Sequence, residues 1–183
     1  MGLKLFEIKD FVKTNEYNIL KQDLDSWYIF VGKTGTGKTY LAKYLFNFKA
    51  ERNLKCKYIS FKRFMFEYRD ILQKKYTDYS ELDFLNEYVN YDLLILDEID
   101  KTTKTESEKS MLFEILSERY DLEKQTILIS NTPLKYLKTE LFDEAIVDRL
   151  MAISKVIEFT GENFRKKRKE VSNNADRSDK NKD

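Results

Sequence analysis

The sequence predicts a three-layer α/β fold, with a five-stranded parallel sheet flanked by helices on both faces. Three observations carry this reading. Five short apolar runs, at 27–31, 57–61, 93–97, 126–130 and 155–159, have the length and apolarity of strands buried on both faces. The longer segments between them repeat apolar residues at helical spacing. A glycine-rich turn follows the first run directly and leads into one of those helices.

The elements follow in order. Residues 6–24 mix charged and apolar side chains and read as a short docking helix within a leading segment, 1–25. After the first strand, 39–52 places Tyr40, Leu41, Tyr44, Leu45 and Phe48 on one stripe. After the second, 62–75 does the same with Phe64, Met65, Tyr68, Ile71 and Leu72. The interval 62–92 is long for a single crossover helix. Beyond the third strand, 106–122 carries a stripe of Met111, Leu112, Ile115, Leu116 and Arg119. Gly161 opens a polar stretch after the fifth strand, and 171–183 has almost nothing to bury, so it reads as disordered. The core is assigned to 26–162 and a basic, disordered tail to 163–183.

Composition narrows the chemistry. The 183 residues fit one domain, and 42% hydrophobic content with 14% aromatics is enough for a core rich in Phe and Tyr. A net charge of +1 confines any nucleic-acid surface to a local patch. Histidine is absent, so an enzyme here must use carboxylates, lysine, hydroxyls or an oxygen-held metal. Cys56 stands alone, which excludes an intrachain disulfide and a cysteine zinc site. No run reaches membrane-spanning length, and the first residues, MGLKLFEIKD, bring in charge too early for a secretory signal. A cytoplasmic location without a membrane partner is expected.

The sequence GKTGTGKT at 32–39 fits G-x-x-x-x-G-K-[ST] between a strand and a helix. Gly32, Gly35 and Gly37 are three of only five glycines, so the backbone here must reach conformations closed to other residues. Such a loop turns its amide N–H groups toward phosphate oxygens, and the helix dipole adds to the attraction. The expected ligand is ATP with Mg²⁺, held by Gly32, Lys33, Thr34, Gly35, Thr36, Gly37, Lys38, Thr39 and Tyr40. Lys38 is expected to reach the β- and γ-phosphates, and the Thr39 hydroxyl to ligate the metal. The plain alternative is a glycine-rich turn.

Asp97 and Glu98 end the third strand, at the edge where ligands bind in open α/β sheets. Asp97 is then placed to hold Mg²⁺, and Glu98 to polarise a water against the γ-phosphate. Two solvated acids at a strand end are the alternative. This run, LLILDEID, resembles the Walker B element of AAA+ ATPases. Asn131, closing the fourth strand, matches the residue called sensor 1 in that family, which orients the attacking water or contacts the γ-phosphate; its alternative is a cap on the turn before Pro133. Asp143-Glu-Ala-Ile-Val-Asp-Arg149-Leu resembles the arginine-finger segment of DnaC-type helicase loaders and IstB-type transposition ATPases. The resemblance implies that Arg149 reaches a neighbouring subunit's ATP; otherwise it is a surface arginine paired with Asp148 or Glu144. Arg119 reads as a structural ion pair.

The resemblance spans about 6–165 and implies a P-loop AAA+ core. It also implies an extra helix at 79–91, of the kind that helps replication initiators assemble and contact single-stranded DNA. The loaders carry an N-terminal extension, where here only 1–25 precedes the first strand. They lack the C-terminal lid domain of full AAA+ proteins, and none is expected here; Arg165 is then the nearest candidate for a sensor 2 arginine. The basic run Arg165-Lys-Lys-Arg-Lys169, and Lys62, Arg63, Arg69, Lys74 and Lys75 interleaved with Phe64, Phe66 and Tyr68, are candidate DNA contacts. Against these stand a solvated tail and aromatics committed to the core. The expected function is ATP hydrolysis in replication: self-association with ATP between subunits, assembly on single-stranded DNA, and delivery or regulation of a replicative helicase. The alternatives are an IstB-like transposition helper, an ATP-gated module that inhibits a host loader with little hydrolysis, and a small-molecule kinase.

Overall fold

The computed structural model describes residues 14–73, 79–101, 105–140, 144–161 and 163–164. Helix α1 (Asn15–Gln22) leads into β1 (Trp27–Gly32), α2 (Lys38–Ala50), β2 (Cys56–Ser60), α3 (Phe61–Gln73) and α4 (Glu81–Asn90). Then come β3 (Leu93–Asp97), a 3-10 turn (Ile99–Lys101), α5 (Glu106–Asp121), β4 (Gln125–Ser130), α6 (Leu134–Glu140), α7 (Glu144–Ile153) and β5 (Ser154–Phe159). Every strand pairing is parallel, in the order β2-β3-β4-β1-β5. The chain leaves β1 for the far edge at β2, returns through β3 to β4, and passes over β1 to β5. The turns after β1, β3 and β4 therefore meet at one end of the sheet.

Alternation along the strands divides the core. Tyr28, Phe30, Leu93, Ile95, Ile127 and Ile129 face Leu20 of α1 and Leu41, Ala42 and Leu45 of α2. Trp27, Ile29, Val31, Leu94, Leu96 and Leu128 face the other way, toward α3, α4, α5 and Leu137 and Leu150 of α6 and α7. This is the expected three-layer sandwich, with strand and helix bounds displaced by a residue or two. One displacement has a visible cause. The Ser60 hydroxyl accepts the Arg63 amide at 3.3 Å, so Phe61 opens a helix rather than closing a strand. The extra helix expected at 79–91 is α4, started by a reciprocal cap. There the Ser80 hydroxyl accepts the Asp83 amide at 3.1 Å and the Asp83 carboxylate accepts the Ser80 amide at 2.8 Å.

Among the described residues Arg119 has no ion-pair partner, contrary to expectation. It is fully buried, and its guanidinium donates to the carbonyls of Tyr88, Val89, Tyr91 and Gln125 and to the Thr126 hydroxyl. The last carbonyls of α4 carry the negative end of that helix, and a five-donor fork satisfies them together. Burial pulls this guanidinium down to about 9, still charged at neutral pH.

At the same end of the sheet, where the strands begin, Asp23 gathers the Lys155 ammonium at 2.6 Å, the Ser26 hydroxyl, and the Asp25 and Ser26 amides. Lys155 first, then Ser26, hold this carboxyl well below the usual carboxylate range. No helix among the described residues is long and apolar enough to cross a membrane. Residues 1–13 of the leading segment, Lys74, Lys75 and 165–183, including Arg165 and the basic run, lie outside the described residues.

Candidate nucleotide and metal site

Strand β1 delivers Gly32 to the end of the sheet with φ of 139°, where a Cβ would lie 2.3 Å from the Phe159 carbonyl oxygen. Gly35 holds φ of 88°, the left-handed region that favours glycine, and a Cβ there would displace the Asn163 side chain, 2.2 Å away. The segment after β5 thus closes on the glycine loop. Asn163 donates to the Thr34 carbonyl at 3.1 Å, and the Phe164 amide donates to the Gly35 carbonyl at 3.0 Å.

Lys38, the first residue of α2, is only 4% exposed. Its ammonium lies against the loop's own backbone, donating to the carbonyls of Gly32 at 2.6 Å and Lys33 at 2.8 Å. The Thr36 hydroxyl donates to the same Lys33 carbonyl at 2.8 Å. Lys33 and Thr34 are exposed at the tip, Gly37 precedes α2, and Tyr40 is half-buried against the core face shared with α2.

The Thr39 hydroxyl donates to Asp97 Oδ2 at 2.9 Å, joining the glycine loop to the end of β3. Asp97 is buried, and its Oδ1 accepts the Glu98 amide at 2.8 Å. A third donor completes the set: the Tyr58 hydroxyl, from β2, reaches Oδ2 at 2.5 Å. Burial, then the bond to Asp97, push the Tyr58 phenol up. Two hard oxygens, Thr39 Oγ1 and Asp97 Oδ2, fit a hard divalent cation that takes its other ligands from phosphate and water.

Glu98 adopts φ of 60°, a left-handed conformation that L residues enter at a cost of about 1–2 kcal/mol. Its carboxylate meets the Lys101 ammonium at 2.5 Å, and this partner raises Lys101. Asn131 lies beside the loop: its Oδ1 accepts from the Thr34 hydroxyl at 3.4 Å, and its amide N–H donates to Asp100 at 2.9 Å. The turn before Pro133 is capped by Ser130, whose hydroxyl accepts the Thr132 amide at 3.0 Å.

Lys38, Thr39, Asp97, Glu98 and Asn131 are thus brought to one end of the sheet. Arg149 is not. It is exposed on α7, donates to the Ser117 hydroxyl at 3.1 Å, and stands 5.8 Å from the Phe113 ring. With both it lines a shallow pocket that also takes in Trp27, at the opposite end of β1 from Gly32. The side chains of Asp148 and Glu144 lie outside the described residues. Sequence reasoning missed Tyr58, Asp100, Lys101 and Asn163. Register would have found Tyr58, which lies two residues before Ser60, the residue opposite Asp97.

Comparison with known proteins bears on the family and the fold. The family model of IstB-like ATP binding proteins matches residues 20–172. The chain is similar to the replicative helicase loader DnaC of Escherichia coli (strain K12), 32% identical over 123 residues, which are 67% of this chain and 49% of that protein. It spans about half the length of that relative. Among solved structures it resembles the replication initiator DnaA bound to AMPPCP and single-stranded DNA, with TM-score 0.70 and 27% identity, over 84% of this chain and 49% of that one. It shares the fold of the DnaC helicase loader, with TM-score 0.65 and 21% identity, over 85% and 88% of the two chains. With the motifs in order along a parallel sheet and the family model across most of its length, the chain belongs to the IstB-like ATP-binding proteins, the AAA+ ATPases of the DnaC and IstB type.

Proposed function

We propose that this chain hydrolyses Mg²⁺-ATP between subunits, assembling on single-stranded DNA to deliver or regulate a replicative helicase. The observation that carries the reading is the convergence of buried Lys38, the Thr39–Asp97 pair, Glu98 and Asn131 at one end of the sheet. Arriving phosphates draw Lys38 from the Gly32 and Lys33 carbonyls. Mg²⁺ held here would supply positive charge that offsets the phosphates. Thr39 and Asp97 would hold that ion, and the loop from Gly32 to Tyr40 would hold the triphosphate. Glu98 leaves Lys101 and takes the proton of the attacking water. Asn131 orients that water or contacts the γ-phosphate. Arg149, remote from its own loop and exposed, serves the neighbour's site. For DNA, exposed Lys62 and Arg63 flank half-exposed Phe66 on α3, with the Lys62 ammonium 5.6 Å from that ring, while Phe64 and Tyr68 are buried in the core. The replication role and its partners follow the similarity to DnaC and DnaA.

The test is ATP turnover against protein concentration, with and without single-stranded DNA. A rate per subunit that climbs with concentration and with DNA is expected. A flat, near-zero rate would favour an ATP-gated inhibitory module, and phosphate transfer to an acceptor a kinase. Mixing decides the subunit claim: Arg149→Ala and Lys38→Ala proteins, each inactive, regain activity together if Arg149 acts in the neighbour's site. The family model also favours a second reading, a transposition helper. Capture of a transposase rather than a helicase by the tagged chain would select it.

A further inference from the structure

We propose that Tyr58 is a positioning residue for the metal, holding the Asp97 carboxylate in the orientation that receives Mg²⁺. The inference rests on the reading of this site as one for Mg²⁺-ATP. Asp97 ends β3, and the orientation of its two oxygens is set by the donors around it. Oδ1 is turned by the amide of the next residue, Glu98. Oδ2 takes two hydroxyls, Thr39 at 2.9 Å and Tyr58 at 2.5 Å.

These two donors differ in what a cation would ask of them. The Thr39 oxygen has lone pairs to offer a metal, so its place is set by the ion as well as by Asp97. Tyr58 has no such second task. It comes from a different strand, lies opposite Ile95 rather than Asp97, and reaches along the sheet with its full length. Its ring packs against the core shared with α2, and the Lys43 ammonium lies over it, 5.0 Å from the centroid. A phenol so held leaves the carboxylate one resting orientation before the ion arrives. Partners that orient a metal-binding carboxylate matter for affinity, and their loss weakens metal binding about 10–100-fold.

Tyr58→Phe removes the hydroxyl and keeps the ring. The affinity of the whole chain for ATP is measured by calorimetry in Mg²⁺ and again in EDTA, with the thermal midpoint of each sample. The expected result is an affinity about tenfold weaker in Mg²⁺ and unchanged in EDTA, with more Mg²⁺ needed for half of the tightening. On an Asp97→Asn background the same change should add nothing. An unchanged Mg²⁺ response would overturn the inference, as would an equal loss with and without metal, or full additivity with Asp97→Asn. If the unaltered chain shows no Mg²⁺ response, the reading of the site itself fails, and the inference with it.

Discussion

At Glu98 the backbone turns left-handed immediately after the buried Asp97, so adjacent carboxylates serve different surroundings. One is fixed by three donors; the other is half-exposed and meets a lysine. Glu98→Gln keeps the shape and removes the base. It should lower turnover by about a hundredfold or more while leaving ATP affinity within about twofold, checked by steady-state rates and calorimetry. At this scale the sequence was readable where the chemistry needs a residue type at a set spacing, as at Lys38, Thr39, Asp97 and Glu98. It was unreadable where a side chain arrives from a distant strand or segment. Tyr58 and Asn163 carry no motif; only sheet register and the path of the chain after β5 bring them to Asp97 and the loop.

Elements were legible from their periods, and their ends were set by side chains. Ser60 and Ser80 start helices α3 and α4 through hydroxyl caps that a hydrophobic period does not contain. Arg119 shows the same gap more plainly. Its helical spacing on α5 aims it inward, and what it meets there is the end of α4 rather than a carboxylate. Arg119→Met leaves four carbonyls without their donor and should cost about 3 kcal/mol or more, read from urea unfolding. Arg119→Lys should recover only part, since an ammonium has three donors and no planar fork. Asp23 joins α1's end to β5 through Lys155. Its folded-state value lies below the ordinary 3.8, so its contribution is whole above that pH and drains away as pH falls below it. Asp23→Asn should lower the thermal midpoint at neutral pH, with the gap to the unaltered protein narrowing as the medium is acidified below 3.8.

Across the whole molecule, the strand order places the phosphate loop and its carboxylates at one end of the sheet, and Arg149 by Trp27 at the other end of β1. If Arg149 completes a nucleotide site, that site must belong to another copy, because its own loop lies at the opposite end of β1. This organisation was readable as strand count and chain order, while the distance between Arg149 and Lys38 needed the fold. If subunits stack through this contact, the rate per subunit should rise with concentration and saturate, whereas Lys38→Ala protein alone stays inactive at any concentration. The pocket around Arg149 also contains the chain's single tryptophan, Trp27, 7% exposed. The molecule therefore carries a built-in optical probe. Departure of the Arg149 guanidinium toward a neighbour would change the polarity of the pocket that Trp27 also lines, and intrinsic emission would report assembly without any label. Addition of ATP should shift that emission in the unaltered chain and leave it still in Arg149→Ala.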